Sequence, residues 1–304
     1  MKKFFTVTDE FVNSRLDRWF RRNILNIPQS LLEKNIRKGN IKVNNLKKPS
    51  SYKLKINDKV TFHGKKFVPN KHKIKSTPYK ASKKELLFSS SLFIENNDNF
   101  AVINKPSGIS VQSGTKSKRN ILDILKSTKE FFGSKPYSVH RIDKETTGIL
   151  IVAKNRKYAQ LFTTLFRIRK IHKIYLGIVL GSINKKKDTI KNDLFHYEGD
   201  KKVLTKAITH FTLLDSNNNY SLLKLSPETG RKHQLRKHLL MYGHPILGDK
   251  KYRISNKNKS QNSTLMLHAY KINFTINESK YSFLADPPEV FKKFITEKYL
   301  KIYQ

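Results

Sequence analysis

Near the start of the chain, apolar residues recur three and four positions apart. Leu16, Trp19, Phe20 and Ile24 form one stripe, which predicts a helix. Asn13 or Ser14 stands just before it, where a short side-chain oxygen can accept a free backbone N–H. Pro28 opens a second helix at no cost, because its missing N–H would have had no partner there. Leu32 and Ile36 share the buried face of that helix, and Gly39 marks its end. Short strands are expected next, at Ile41–Val43, Lys53–Ile56 and Val60–Phe62, with turns at Asn44-Asn45 and Asn57-Asp58. This predicts a small module over residues 1–63, ordered helix, helix, strands. Residues 64–85 lose all periodicity and carry one Gly, two Pro and many Lys, so a basic linker is expected there.

Strand-like runs dominate residues 86–304. Leu92–Glu95 and Phe100–Ile103 flank Asn96-Asn97-Asp98-Asn99 and predict a hairpin. Ile149–Ala153 is an unbroken apolar run, suited to a strand covered on both faces. Leu161, Phe162, Leu165 and Phe166 predict a helix over Tyr158–Ile168. Further strands are expected at Ile174–Leu180, Ala207–Phe211 and Tyr220–Leu225, a hairpin at Tyr270–Phe274 and Tyr281–Leu284, and helices at His233–Met241 and Glu289–Lys298. The mixture points to an α+β fold rather than a doubly wound sheet. No Gly-rich phosphate loop is present, so no nucleotide cofactor is expected.

Charge narrows the partner. The 304 residues include 62 Lys and Arg against 23 Asp and Glu, a formal net charge of +39. Such a field draws polyanions, with nucleic acid the first candidate and an anionic membrane surface the rival. AT-rich coding accounts for Lys in place of Arg, but not for the shortage of acids. Residues 1–68 alone hold 17 basic and 5 acidic residues. Arg15, Arg18, Arg37 and Lys38 fall on the polar sides of the two predicted helices, where they can form a phosphate-binding face. The absence of cysteine excludes disulfides, thiolate metal sites and a Cys nucleophile. No apolar run approaches the roughly 18 residues of a membrane span, and MKKFFTVTDEF lacks a signal-peptide core, so a cytoplasmic protein is expected.

Two polar stretches can carry chemistry. His140-Arg141-Ile142-Asp143-Lys144-Glu145-Thr146-Thr147-Gly148 feeds the buried apolar run. A carboxylate held there can act as nucleophile or base without a cofactor. The plainer alternative is a loop Asp neutralised by Arg141 or Lys144. Thr229-Gly230-Arg231-Lys232-His233-Gln234-Leu235-Arg236-Lys237-His238 leads into a basic helix, where Arg231 or Arg236 can pair with an acid or a phosphate. His233 and His238 stand five apart and diverge around a helix, so no metal site is expected. Tyr175 reads by default as a core aromatic on a strand.

Taken together, these segments resemble a known family. HRIDKETTGILIVAKN resembles the catalytic motif of the RluA-type pseudouridine synthases, usually HRLDxxTSGLLLxAK. NKPSG at 104–108 resembles the family's KPxG motif, KIYLGIV its tyrosine segment, and TGRKHQLRKHL with GHPILGD its late arginine motif. All four stand in family order over residues 104–249. Residues 1–63 resemble the S4-like RNA-binding domain of some members, and RKGNIKVN…YKLKINDKV is closer to the RluC type than to the RluD type. Ile142, Thr147, Ile149 and Lys232 depart mildly from the pattern.

The resemblance implies isomerisation of uridine to pseudouridine in large-subunit (23S) ribosomal RNA, by a monomer needing no cofactor or metal, on RNA that is free or in early assembly. It implies Asp143 as the catalytic carboxylate, Tyr175 packed on the base, and Arg236 paired with Asp143. Arg141 fills the space left by the flipped nucleotide, and His140, Lys105 and Arg231 are expected to contact substrate. Two other function classes compete. A non-catalytic S4-like RNA-binding protein would have no need of Asp143. A base-excising glycosylase would release free uracil.

Overall fold

The structure, a computed structural model, describes residues 2–25, 27–63, 91–112, 119–198, 201–254 and 264–302. The linker expected at 64–85 lies outside the described residues. The described residues fall into two compact units, one up to His63 and one from Ser91.

The N-terminal unit holds β1 (Lys2–Thr6), α1 (Leu16–Asn23), α2 (Gln29–Arg37), β2 (Ile41–Val43) and β3 (Lys59–His63). Its sheet is antiparallel in the order β1-β3-β2. Leu16, Trp19, Phe20, Leu32 and Ile36 pack on Ile41, Val43, Val60 and Phe62, so the two stripes read from the sequence build one core. Strand β1 was not anticipated. It forms by pairing its backbone with β3 rather than by burying an apolar face, and Phe4 remains 68% exposed. Two local expectations are corrected. Arg15, not Asn13 or Ser14, is the N-cap of α1, because Asn13 N–H donates to Leu54 O and Ser14 O accepts from Leu54 N–H. Those bonds use the backbone of the expected Lys53–Ile56 strand, which is reduced to a single bridge between Lys53 and Arg15.

The C-terminal unit opens with the hairpin β4 (Phe93–Asn96) and β5 (Phe100–Lys105), followed by α3 (Ile121–Leu125), β6 (Tyr137–Ser138), β7 (Thr147–Ala153) and α4 (Arg156–Arg167). Next come β8 (His172–Leu180), β9 (Lys187–Glu198), β10 (Lys201–Ser216), β11 (Tyr220–Pro227) and α5 (Gln234–Met241). The hairpin β12 (Leu267–Ile276) and β13 (Ser279–Leu284) and helix α6 (Glu289–Glu297) complete the unit. The sheet runs β4-β5-β7-β12-β8-β11-β10-β9, with β13 on β12 and β6 on β7. Among the described strands only β7 and β12 pair in parallel, so the expected α+β fold is built on a mainly antiparallel sheet.

Strand β7 shows why an unbroken apolar run was needed. Ile149, Ile151 and Ala153 face Phe162 of α4 and Phe274 of β12, while Leu150 and Val152 face Ile121 and Ile124 of α3. Both faces of the strand are therefore core. Gly148, with φ +105, lets β7 run beside β12, since a Cβ there would strike the Ala269 carbonyl. Strand β9 is too polar to show a period. It exists because its whole length pairs with β10, from Lys187 opposite Thr212 to Glu198 opposite Lys201.

Two fully buried histidines tie the sheet together. His268 places Nε2 at 2.9 Å from the Ala285 carbonyl and Nδ1 at 2.8 Å from the Thr147 hydroxyl. A carbonyl only accepts, so Nε2 carries the proton and the bare Nδ1 accepts from Thr147. His238 sets Nδ1 at 2.9 Å from Thr209 Oγ1. Burial pulls both imidazoles from 6.5 down to about 4. Between pH 6.5 and 4 the unfolded chain therefore takes up protons that the folded chain refuses. Stability should fall on acidification through that window by about 1.4 kcal/mol per pH unit for each such proton. Asp17 and Asp249, held below the ordinary carboxylate range, add to the loss only below about pH 4. Thermal midpoints at pH 7.5 and 5 test this, and equal midpoints would contradict the neutral assignment.

Candidate active site

A cleft of about 880 Å³ opens in the C-terminal unit. Its walls come from the 139–146 loop, the end of α4, the start of β8, the end of β11 and the start of α5. Asp143 lies in the loop that enters β7. Its backbone carbonyl accepts from Thr146 N–H at 3.2 Å, closing a turn, and its side chain is 20% exposed. The carboxylate meets one group from α5 and one from its N-cap, with Oδ2 at 3.5 Å from Arg236 Nη1 and Oδ1 at 3.7 Å from His233 Nε2.

Neighbouring strands brace this loop. Lys105, at the end of β5, is fully buried, and its ammonium donates to the carbonyls of Pro106 (2.7 Å), Ile109 (3.0 Å) and Lys144 (3.2 Å). All three of its donors are used. Burial pulls Lys105 down to about 7, against the opposing charges of Glu145 and Asp143. The expectation of a substrate contact at Lys105 is corrected, since it ties two loops together behind the cleft. Ser107 Oγ to Glu145 O (3.0 Å) and Gly108 N to Lys144 O (2.9 Å) reinforce the tie.

His140 is held by the fold but lines the cleft. Its Nε2 accepts the Ile151 N–H at 2.8 Å and its ring stacks on Phe166 at 4.5 Å. Burial, aided by the Lys173 charge, pushes it down to about 3, so it is a neutral structural wall of the cleft. Arg141 is exposed and lines the cleft, free to meet a ligand. Arg231, also exposed, lines the other wall and reaches the Lys206 carbonyl at 3.3 Å. Arg167, Arg169 and Lys173 extend the basic lining.

Tyr175 on β8 borders three core clusters and the cleft, half-buried. Burial, and secondly the Asp143 charge, hold its phenol far above its ordinary value. It therefore stays protonated, and the strand aromatic read from the sequence packs against the core while also lining the cleft that holds Asp143.

Helix α5 is aimed by the turn before it. His233 adopts a left-handed backbone (φ 55), and Gln234 crosses back to Ile208 O (2.9 Å), Thr229 Oγ1 (2.8 Å) and Arg231 N (3.0 Å). Arg236 is 5% exposed. Its main partner is Asp249, which ends the GHPILGD motif but was given no role from the sequence. Nε and Nη2 donate to the two oxygens of Asp249, each at 2.7 Å. Asp249 Oδ1 also accepts from the N–H groups of Lys251 (2.8 Å) and Tyr252 (2.9 Å). Tyr252 lies 5.2 Å from the guanidinium and its hydroxyl is 2.9 Å from His233 Nδ1. Glu145 Oε2 stands 3.8 Å from Arg236 Nη1. Asp249 left one signal, as the acid that ends GHPILGD.

In the N-terminal unit, Arg18, Arg37 and Lys38 are exposed on the two helices. Arg15 is half-buried, with Nε (3.0 Å) and Nη2 (2.7 Å) donating to Asp17. Among the described residues no group of His, Asp and Glu is arranged to hold a metal ion.

Comparison with known proteins gives this geometry a family. Residues 99–241 match the model of the RNA pseudouridylate synthase family. A protein of Buchnera aphidicola named ribosomal large subunit pseudouridine synthase C is 31% identical over 302 residues, covering 94% of each chain. One of Borreliella burgdorferi named ribosomal large subunit pseudouridine synthase D is 34% identical over 223 residues, covering 68% of each. Human RNA pseudouridylate synthase domain containing 4 shares the fold, with a TM-score of 0.63 at 24% identity over 73% of this chain and 99% of its own. Similarity along nearly the whole chain, and a shared fold under the Asp143 cleft, mean that this protein belongs to the RNA pseudouridylate synthase family.

Proposed function

We propose that the chain isomerises uridine to pseudouridine in large-subunit (23S) ribosomal RNA, as an RluC-like enzyme, with Asp143 as the reacting carboxylate. The observation that carries this reading is the position of Asp143, at ion-pair range from Arg236 (3.5 Å) in a cleft with a basic lining. Relatives named for large-subunit synthase C support the substrate class, with the Buchnera protein aligned to 94% of the chain.

The reaction conserves every atom. The N1–C1′ bond of uridine breaks, uracil turns, and C5 bonds to C1′, while the proton on C5 leaves and N1 gains one. Asp143 serves by attacking C1′ or by taking the proton from C2′ of the ribose, and each route needs an ionised carboxylate. Arg236 Nη1, 3.5 Å away, stands as its countercharge. Tyr175 packs against the base, and its protonated phenol is too weak a base to take the C5 proton itself. Arg141 occupies the gap left by the flipped nucleotide, whose extrusion costs a few kcal/mol. Arg167, Arg169, Lys173 and Arg231 meet flanking phosphates. We place the protein in the cytoplasm as a monomer, acting on free 23S RNA or early assembly intermediates, where the target can still be flipped. Among the described residues no helix is long and apolar enough to cross a membrane.

Mapping pseudouridine in ribosomal RNA from cells with and without the gene tests the assignment. Sites should vanish on deletion and return with the wild-type gene but not with Asp143→Asn. An unchanged map would rule the activity out, and positions outside the RluC set would favour an RluD-like enzyme.

Residues 1–63 are proposed as an S4-like RNA-binding domain. Deleting residues 1–68, with their 17 basic residues, should weaken binding to 23S RNA. The log–log salt slope should flatten by about 0.7 to 0.9 for each phosphate that the shortened protein no longer neutralises. The C-terminal unit carries its own three apolar clusters and should still turn over a short substrate at high concentration. Titrations of full-length and truncated protein at several salt concentrations measure this. Equal slopes and affinities would point to a protein partner for the module instead.

A further inference from the structure

We infer that Asp249 is a positioning residue of the reaction, acting through Arg236 to set how that guanidinium meets Asp143. The inference rests on the proposed role of Asp143. A guanidinium presents a planar fork of donors, and which edge is occupied decides where the rest point. Asp249 takes the Nε and Nη2 edge at 2.7 Å on both bonds and leaves Nη1 facing Asp143 (3.5 Å) and Glu145 (3.8 Å). The Asp249 side chain is 1% exposed, and two backbone N–H bonds fix it further, so it cannot follow Arg236 if the arginine moves. The same turn presents Tyr252 to the guanidinium face and to His233 Nδ1. One carboxylate thus orders both groups that face the Asp143 oxygens, Arg236 in α5 and His233 at its N-cap.

The chemical consequence concerns Asp143. An arginine free to choose would engage Asp143 in a bidentate pair of about 2.8 Å, tying up both carboxylate oxygens. Held by Asp249, Arg236 supplies charge to Asp143 at longer range and leaves its oxygens open to the ribose. A small displacement of the reacting group is enough to lower the rate by about 100-fold.

The test uses full-length Asp249→Asn, Arg236→Lys and the double variant, with single-turnover rate, RNA affinity and thermal midpoint measured on each. Asp249→Asn retains an oxygen for the Lys251 and Tyr252 N–H groups but presents no charge to Arg236. The expected result is a single-turnover rate lower by about 100-fold, RNA affinity within about threefold of wild type, and a double variant no slower than about threefold below the slower single. Losses that multiply in the double variant would make Asp249 a structural residue acting independently of Arg236, and a wild-type rate would remove it from the reaction. Should Asp249→Asn not fold, Asp249→Glu carries the test. It keeps the charge but displaces Arg236, so its rate should fall by about tenfold or more at unchanged RNA affinity, and a wild-type rate would overturn the inference. Turnover by Asp143→Asn would instead refute the role of Asp143, so the two failures are distinct.

Discussion

Asp143→Asn should lose at least about 10³-fold in isomerisation while folding and binding RNA almost as the wild type does. The amide has nearly the shape of the carboxylate, and the site asks little of Asp143 structurally. Its side chain is 20% exposed, and its links to Arg236 and His233 are ion-pair contacts of 3.5 and 3.7 Å rather than short hydrogen bonds. Arg236 keeps its two bonds to Asp249 whatever stands at position 143. The change in stability should therefore stay within about 1 kcal/mol. An amide cannot attack C1′ or take a proton from C2′, so either route ends there. Single-turnover conversion of a uridine-containing fragment, beside a binding titration, measures both halves of the claim. Turnover near the wild-type rate would remove Asp143 from the mechanism. Joint loss of turnover and affinity would make it a binding residue.

Arg236→Leu should be the more disruptive change, because it damages stability as well as rate. Three carboxylates, those of Asp143, Glu145 and Asp249, face this one guanidinium. Removing it leaves Asp249, 1% exposed on its side chain, with only two backbone N–H donors for a buried charge. Breaking a buried pair from one side costs about 3 to 5 kcal/mol. The direction with pH follows from the same contact. Burial pushes the wild-type Asp249 carboxyl up, but the Arg236 bonds and charge, together with the Tyr252 and Lys251 N–H groups, bring it below the ordinary range. Without Arg236 burial prevails, the carboxyl rises, and the folded variant takes up a proton that the wild type refuses. The stability gap between the two proteins should therefore narrow as pH falls. Denaturant titrations at pH 7.5 and 5 give the gap directly. A variant of unchanged stability whose sole defect is weaker RNA binding would make Arg236 a phosphate contact.

Much of this protein was legible along the chain. Leu16, Trp19, Phe20, Leu32 and Ile36 gave two helices their buried faces, and Ile149–Ala153 announced a strand covered on both sides. These signals are local, because a residue's neighbours three or four away on a helix, or two away on a strand, share its face whatever the rest of the fold does. Asp143, Tyr175 and Arg236 could be singled out because each sits in a dense motif resembling a known family. The polar strand β9 carried no such period, and β1 had no apolar face to show, so both were invisible before their partners β10 and β3 were in place.

Partner choice was decided only by the tertiary structure. Lys105 and His140 have the residue types of substrate contacts, but the fold buries Lys105 among three carbonyls and turns His140 onto a backbone N–H of β7. Arg236 was expected to pair with Asp143, yet its short bonds go to Asp249, thirteen residues further on. A charged side chain pairs with whichever opposite charge the packed elements bring within about 3 Å in the right plane, and that depends on where strands and turns distant in sequence come together. The chain by itself determined which residues could do the chemistry. The packing of β5, β7, β8 and α5 determined which of them face the cleft and which hold it in shape, because burial and hydrogen-bond geometry exist only once those elements meet.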